Sequence, residues 1–121
     1  LIAGDCNYLK QVNDNIGHEY GDMLLRRVAA AIKETVPENC IPMRVGGDEF
    51  LILCPNYNER EAKDLIGGIE KACDAKADAV LCPDVSFGSY TIKDDKLPFK
   101  EALRRADRAM YENKRRRHIR P

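Results

Sequence analysis

The sequence lacks tryptophan, a net charge and any apolar run that could cross a membrane. Its 20 basic side chains balance 20 acidic ones, and none of the 121 residues is Trp. A membrane-spanning helix needs roughly 20 consecutive apolar residues, and proteins that bind nucleic acid or membrane surfaces usually carry a basic excess. No signal peptide is visible either. We therefore expect a cytoplasmic domain that contacts neither nucleic acid nor a membrane.

Cysteine is present, but its pattern indicates neither a disulfide framework nor a zinc site. The five cysteines are an odd number without C-x-x-C spacing, namely Cys6, Cys40, Cys54, Cys73 and Cys82. Disulfide-rich domains carry paired cysteines, and zinc sites use closely spaced ones. We predict that these residues are small hydrophobic side chains of a core in a reducing compartment.

Length and periodicity predict one α+β domain over residues 1–121. The apolar patterns predict a strand, two helices, a hairpin, a helix, a strand and a last helix. The expected ranges are Leu1–Gly4, Tyr8–Asn15, Asp22–Val36, Cys40–Cys54, Glu59–Lys76, Asp84–Ile92 and Phe99–Arg116. Without the extra helices this order is βαββαβ, the split ferredoxin-like arrangement, with a central antiparallel or mixed sheet flanked by helices.

Local residue chemistry predicts a helix cap, a tight turn and an apolar helix face. Asn7 should cap the first short helix with its side chain, and Gly17 should end that helix. Gly46-Gly47 should form a primed turn, which needs positive φ at its central residues. The last helix should turn an apolar stripe inward, made of Phe99, Leu103, Ala106, Ala109 and Met110.

The stretch Arg44–Phe50 places two acids, Asp48 and Glu49, at the tip of the predicted hairpin. One interpretation is a rigid pair of carboxylates that binds a divalent cation. The other is an ordinary hairpin whose tip is acidic because it faces water. Asp5, at the end of the first predicted strand, favours the first interpretation.

The predicted topology brings Asp5 to the hairpin acids. The first strand should lie beside the second hairpin strand and antiparallel to it, so the end of one meets the beginning of the other. Asp5 should then lie beside Asp48 and Glu49. Three converging carboxylates repel one another unless a cation sits between them, and oxygen ligands with nothing soft nearby suit Mg²⁺ or Mn²⁺.

Five blocks of the sequence carry a resemblance that covers nearly the whole chain. They are DCNYLKQVND (5–14), GHEYGD (17–22), GGDEF (46–50), SFG (86–88) and ADRAMY (106–111) before Lys114. In this order they resemble the GGDEF family, the diguanylate cyclases, and five ordered blocks are far more specific than one signature alone. The chain is identified as a GGDEF domain that lacks the family's opening helix.

The resemblance implies a metal site and a candidate general base. Asp5 and Asp48 match the family's metal ligands, with Glu49 as a further ligand and the Cys6 carbonyl as a backbone one. The metal would be Mg²⁺ or Mn²⁺. Either Asp48 or Glu49 would be the catalytic base, and the sequence leaves that choice open.

The resemblance also implies a nucleotide site. Asn13 and Asp22 match the positions that read guanine, since a carboxylate accepts from N1–H and N2–H₂ while an amide donates to the acceptor edge. Lys10 and Lys114 match the positions that hold the triphosphate. Taken singly, either lysine could instead be a solvated helix residue.

The family's reaction condenses two GTP into cyclic di-GMP and releases pyrophosphate. Because one domain holds one GTP, the resemblance implies a homodimer for catalysis. It also implies an upstream sensor or receiver domain, which is absent from this sequence. The present domain could then be the cytoplasmic end of a larger membrane-bound sensor. One alternative is a domain that binds GTP or cyclic di-GMP without catalysis. Another is a different palm-like nucleotidyl transferase, or a relative that makes a mixed cyclic dinucleotide, although the guanine match of Asp22 argues against adenine.

The sequence departs from the family pattern at several places, of which three concern the expected site. Asn7 replaces the second acid of D-x-D, which removes a negative charge near the expected metal. Pro37 and Cys40 stand where the inhibitory R-x-x-D pattern would be, so feedback inhibition through that site is not expected. Arg117–Ile119 replaces the usual G-R-N, so Arg115, Arg116 or Arg117 would have to supply the phosphate-binding arginine.

Overall fold

The computed structural model describes residues 1–94 and 96–119, with side chains up to residue 116, so the side chains of Arg117–Ile119 lie outside the described part. These residues form four strands and four helices. The elements are β1 (Ile2–Cys6), α1 (Leu9–Asn15), α2 (His18–Thr35), β2 (Ile41–Arg44), β3 (Glu49–Leu53), α3 (Glu59–Ala75), β4 (Val85–Ser89) and α4 (Phe99–Ile119). The order confirms the predicted βαββαβ core, followed by a last helix.

The sheet has the strand order β2-β3-β1-β4, and each of its three pairings is antiparallel. The predicted neighbourhood of the first strand and the second hairpin strand is therefore observed. In their register Ile2 lies opposite Ile52, and Asp5 lies opposite Glu49. The described sheet is antiparallel throughout rather than mixed.

Helices cover both faces of the sheet because β1 alternates its side chains between two apolar layers. Ile2 and Cys6 point into a core shared with α2 and α3, whereas Leu1 and Ala3 pack in a second core against α4. The helices α2 and α3 thus lie on one face of the sheet, and α4 lies on the other. None of the helices in the described residues is both long and apolar enough to cross a membrane.

The start of α1 differs from the prediction. Its N-cap is Tyr8, which has φ 64° and makes no side-chain cap hydrogen bond. Asn7 is instead buried, and its amide donates to Asp84 Oδ2 and Ser86 Oγ, each at 2.9 Å. The cap prediction for Asn7 was wrong because a tertiary contact with β4, invisible in the local sequence, engages the side chain.

The helix α2 begins at His18, four residues earlier than the predicted Asp22. Gly17, with φ 122°, separates α1 from α2, as its predicted role as a breaker requires. The predicted loop of residues 18–21 is thus the first turn of α2, so Asp22 lies inside a helix.

The signature turn also differs from the prediction. Gly17 is the one glycine with positive φ in the described residues, so Gly46 and Gly47 do not form a primed turn. The loop is wider, closed by Val45 N–H donating to Glu49 O at 3.0 Å. The Arg44 guanidinium braces it by donating to the carbonyls of Gly46 at 3.2 Å and Gly47 at 2.7 Å.

The helix α4 lies very close to β4. A Cβ added to Gly88 would overlap the backbone of Ala109 and Met110. The close approach is of the α4 backbone, and Ala102 and Ala106 are buried on this face of the helix together with Met110. Phe99 was predicted to face inward but is 51% exposed, and Ala102 supplies the missing position of the stripe.

Candidate functional site

The antiparallel pairing of β1 with β3 brings the first predicted acid to the hairpin acids. Asp5 lies opposite Glu49, and Cys6 N–H donates to the backbone carbonyl of Asp48 at 2.8 Å. The β1 alternation turns Asp5 toward the α4 face of the sheet. Acids that lie more than forty positions apart in the sequence, Asp5 on one side and Asp48 and Glu49 on the other, thereby come together in one cluster of carboxylates.

Lys114 on α4 reaches this cluster. Its Nζ donates to Asp5 Oδ2 at 2.8 Å, and both side chains are largely buried. The other oxygen of Asp5, Oδ1, is buried and has no hydrogen-bond partner in the described structure. Because a buried polar atom normally finds a partner, this oxygen marks a position where a cation or donor would be stabilised.

The electrostatics of the cluster reflect burial and mutual repulsion. Burial raises the pKa of Asp48, and a hydrogen bond with Asp5 and its charge raise it further, whereas Lys114 opposes the change. Burial, followed by the charges of Asp107 and Asp48, raises the pKa of Glu49. Asp48 and Glu49 therefore give up their protons less readily than in water, and a bound cation would reverse this tendency.

Asp107 on α4 is a member of the cluster that the sequence reasoning did not assign. Burial and the charge of Asp5 raise its pKa. Asp107 and Glu49 also line an open cavity of about 270 Å³ between the hairpin and α4. The signal was available, because Asp107 and Lys114 are seven residues apart and so share one face of a helix.

Asn7, which stands where the family has its second acid, is engaged by other residues. Its side chain exchanges hydrogen bonds with Ser86, accepting from Ser86 Oγ at 3.3 Å, and its backbone N–H donates to Asp84 O at 2.8 Å. An aspartate at this position would face the Asp84 carboxylate. The replacement of the second acid therefore removes a like-charge contact with Asp84, which directly precedes β4.

The predicted guanine residues lie at the α1–α2 junction. A Cβ at Gly21 would coincide with Asn13 Oδ1, so the glycine allows the Asn13 amide to approach the first turn of α2. Asp22 follows directly and lines a cavity of about 230 Å³ together with Arg26 and Arg44. Asn13 and Asp22 are thus neighbours across a helix junction, beside the β2–β3 hairpin.

Of the two predicted phosphate lysines, the structure ties one to the carboxylates. Lys114 is ion-paired with Asp5. Lys10 is exposed on α1, and no contact in the described part of the chain links it to the cluster.

The donor set fits a divalent cation that shares its ligands with a substrate. No group of three or more His, Cys, Asp or Glu suited to hold a metal occurs among the described residues. The cluster instead offers two close carboxylates, Asp5 and Asp48, and the partnerless Asp5 Oδ1. Mg²⁺ is typically held by one or two carboxylates together with substrate phosphates. Asp5 and Asp48, with the Cys6 carbonyl, would hold the ion.

The fold and the site define an α+β domain with a carboxylate cluster at the junction of the central strands. The sequence matches the family "Diguanylate cyclase, GGDEF domain" over residues 1–120. The chain therefore belongs to the GGDEF family.

The chain is similar to relatives that are named for opposite activities, a cyclase and a phosphodiesterase. The chain is 33% identical over 116 residues to the probable diguanylate cyclase DgcJ of Escherichia coli, covering 94% of this chain and 23% of DgcJ. It is 32% identical over 124 residues to the cyclic di-GMP phosphodiesterase PdeR of Escherichia coli, covering 92% of this chain and 17% of PdeR. The chain thus spans a minor part of these relatives.

A solved structure confirms the fold. The active GGEEF domain of a diguanylate cyclase from Vibrio cholerae superposes with a TM-score of 0.82 at 27% identity. The match covers 95% of this chain and 75% of that one.

Proposed function

We propose that this domain is a diguanylate cyclase that condenses two GTP into cyclic di-GMP with release of pyrophosphate. The observation that carries the proposal is the half-buried Asp5–Asp48 pair, in which Asp5 Oδ2 accepts from Lys114 and Asp5 Oδ1 has no partner in the described structure. Two acids and one ammonium suit a triphosphate bound through a divalent cation. The relatives named diguanylate cyclase support the reaction.

In this proposal the chain's own residues orient the triphosphate and accept the proton of the attacking hydroxyl. Mg²⁺ or Mn²⁺ would supply charge neutralisation at the reacting phosphate and a lower pKa for the attacking hydroxyl. Lys114 would exchange its Asp5 contact for phosphate oxygens, and Lys10 would contact the outer phosphates. The bond from the 3′-oxygen to the α-phosphorus forms, the bond to pyrophosphate breaks, and the proton passes to a carboxylate.

Glu49 is the better candidate for the proton acceptor. It is exposed at the hairpin tip, and its strongest charged neighbour is Asp107 rather than the Asp5–Asp48 pair. A carboxylate that is engaged by metal accepts a proton poorly, and Asp48 is the closer partner of Asp5. Glu49 therefore suits a general base more closely than Asp48 does, because it is the less engaged with the expected metal ligands.

The guanine base of the nucleotide would be recognised in the cavity beside α2. The Asp22 carboxylate would accept from guanine N1–H and N2–H₂, and the Asn13 amide would donate to an acceptor of the ring. Adenine offers the reverse pattern at that edge, so it would leave buried polar groups unpaired at a cost of ~1–3 kcal/mol each.

The experiment is a product assay with this domain, GTP and Mg²⁺ at several protein concentrations, followed by chromatography of cyclic di-GMP and pyrophosphate. Because each domain holds one GTP, the rate should rise more steeply than linearly with protein. Glu49→Gln should keep GTP binding and lose product, and Glu38→Gln, an exposed acid outside the cluster, should behave as wild type. Product formed at the wild-type rate by Glu49→Gln would remove it as the base.

A non-catalytic function is the second candidate, and a relative favours it. PdeR, named for a phosphodiesterase, contains a domain similar to this chain. In that case the domain would bind GTP or cyclic di-GMP as a sensor. GTP bound at the cluster without product, in a form fused to a dimeriser, would select this function.

A further inference from the structure

Two buried cysteines occupy neighbouring strands at the end of the β2–β3 hairpin that is remote from the signature turn. In the register of these strands Ile41 lies opposite Leu53. The next position outward places Cys40 opposite Cys54. Both are free thiols, 5% and 9% exposed.

The position is of the kind that accepts a cross-strand bridge. Val45 N–H donates to Glu49 O, so these two residues form a hydrogen-bonded pair. Hydrogen-bonded and non-hydrogen-bonded pairs alternate along an antiparallel ladder, so Cys40 and Cys54, five pairs further on, form a non-hydrogen-bonded one. Such pairs have Cα atoms ~4.5 Å apart, within the ~4.4–6.8 Å of disulfides.

Cys40 also lies close enough to affect the Cys54 thiol. Burial raises the pKa of Cys54 to about 12, and a hydrogen bond with Cys40 contributes. A hydrogen bond with Cys40 likewise raises the pKa of Tyr57 to about 12. Cys54 and Tyr57 line an open cavity of about 390 Å³, which is large enough for a small oxidant to reach the Cys54 sulfur.

We propose that Cys40 and Cys54 are a disulfide site that ties the edge strand β2 to β3. The Cys54 thiolate attacks a small organic disulfide, forms a mixed disulfide and expels one thiol. The Cys40 thiolate then attacks the Cys54 sulfur and releases the second thiol. The two cysteine protons end on the released thiols, so the protein pair is oxidised and the small disulfide is reduced.

The bridge would act on the least supported strand of the sheet. β2 is an edge strand that pairs with β3 alone in the described sheet, and all four of its residues are exposed. A bond at Cys40 would hold this strand in register while leaving Asp48 and Glu49, at the opposite end of the hairpin, free to bind. Because thiolate is scarce at the raised pKa of Cys54, closure should be slow compared with modification of the exposed Cys82.

The test uses the folded chain and hydroxyethyl disulfide. Remaining thiols are alkylated in denaturant, and trypsin separates Cys40 and Cys54 into peptides 34–44 and 45–60. We expect these two peptides linked in the wild type and in Cys82→Ser, and unlinked in Cys40→Ser. Cys6 and Cys73, which are buried on β1 and α3, should remain alkylated.

A second arm removes burial as the limit on the reaction. The chain is refolded from denaturant in a mixture of hydroxyethyl disulfide and 2-mercaptoethanol, so the thiols react before they are buried. The linked protein should melt about 5 °C or more above its reduced form, and Cys40→Ser should melt alike in both conditions. Both cysteines recovered as alkylated thiols in both arms, or a linked protein that melts lower than the reduced one, overturns the proposal.

Discussion

At the scale of the residue, the two oxygens of Asp5 have different surroundings. Oδ2 accepts from Lys114, while Oδ1 is buried without a partner in the described structure. An unsatisfied buried acceptor costs ~1–3 kcal/mol, and Asp48 adds like charge. Such a cost is typical of a site whose residues are arranged for a ligand rather than for stability.

The first prediction concerns that cost. Asp48→Asn removes one of the two close carboxylates, so in chelator the melting temperature should rise by about 2–4 °C. The same variant should lose most of the stabilisation that Mn²⁺ gives the wild type, because a neutral amide is a poor ligand for that ion. Differential scanning calorimetry measures both effects. Glu38→Gln is the matched control, and a wild-type response to Mn²⁺ in Asp48→Asn would exclude Asp48 as a ligand.

The second prediction concerns base choice. Asp22→Ser takes away the acceptor for guanine N1–H and N2–H₂, so the preference for GTP over ATP should fall about tenfold, the equivalent of ~1.4 kcal/mol. Calorimetric dissociation constants for the two nucleotides test this without requiring turnover. Asp64→Ser, an exposed acid on α3, serves as the control. An unchanged preference in Asp22→Ser would contradict the assignment of guanine recognition.

At the scale of the element, the position of Lys114 depends on how α4 seats on β4. Gly88 lies against the α4 backbone, and Asn113 Nδ2 donates to Phe87 O at 2.7 Å, one residue before Lys114. These contacts set the height of the helix over the strand. They determine whether the ammonium reaches Asp5.

The third prediction tests this seating. Gly88→Ala places a methyl group into the backbone of α4, and such overpacking typically costs ~1–3 kcal/mol. Urea denaturation should show this loss, and the lysine should leave Asp5. Gly67→Ala is the matched control, because its Cβ would meet nothing within 4 Å in α3, and alanine there should stabilise by ~0.5–1 kcal/mol. Equal stability of Gly88→Ala and wild type would argue against the close seating.

The turn after α3 is held by Asp78. Its Oδ1 accepts from the N–H groups of Val80 and Leu81, each at 2.8 Å, and its Oδ2 accepts from Arg27 at 2.8 Å. Hydrogen bonds from Arg27, then from Leu81 and Val80, hold the pKa of Asp78 well below its usual range. This turn places the buried Leu81 in the core.

The fourth prediction is a pH dependence. Because the folded pKa of Asp78 is depressed, the carboxylate stabilises the fold above its unfolded pKa of ~3.9, and this contribution disappears as pH falls below that value toward the folded pKa. Asp78→Asn should therefore melt below wild type at neutral pH, and the gap should narrow in acid. Asp64→Asn is the control. Melting curves with a gap that widens in acid would contradict the assignment.

At the scale of the molecule, the proposed reaction needs two copies, because each carries one carboxylate cluster and one nucleotide cavity. The fifth prediction is interference between copies. An excess of Asp48→Ala should suppress cyclic di-GMP formation by the wild type, since mixed pairs lack one of two functional sites. Product chromatography at fixed wild-type concentration measures this. Glu38→Gln in the same excess should not suppress it, and wild-type output untouched by Asp48→Ala would contradict a paired mechanism.

The sequence by itself predicted the architecture because the fold depends on periodicity and turn spacing. The βαββαβ order follows from patterns that are local along the chain. The topology typical of that order then makes the first strand and the second hairpin strand neighbours, which brings Asp5 to the hairpin acids. The family motifs added candidate roles for the same residues. The roles of Asn13, Asp22 and the lysines remain predictions.

Only the tertiary structure decided how distant segments share their polar groups. Asn7 donates to Ser86 on β4 instead of capping α1. Arg44 donates to the carbonyl of Gly47 in a loop that is wider than predicted. Asp107 lies beside the carboxylates of the hairpin and β1. Local propensity could not reveal these outcomes, because each depends on a partner that folding brings close. The pairing of Cys40 with Cys54 has the same origin, since cysteine spacing carries no information about strand register.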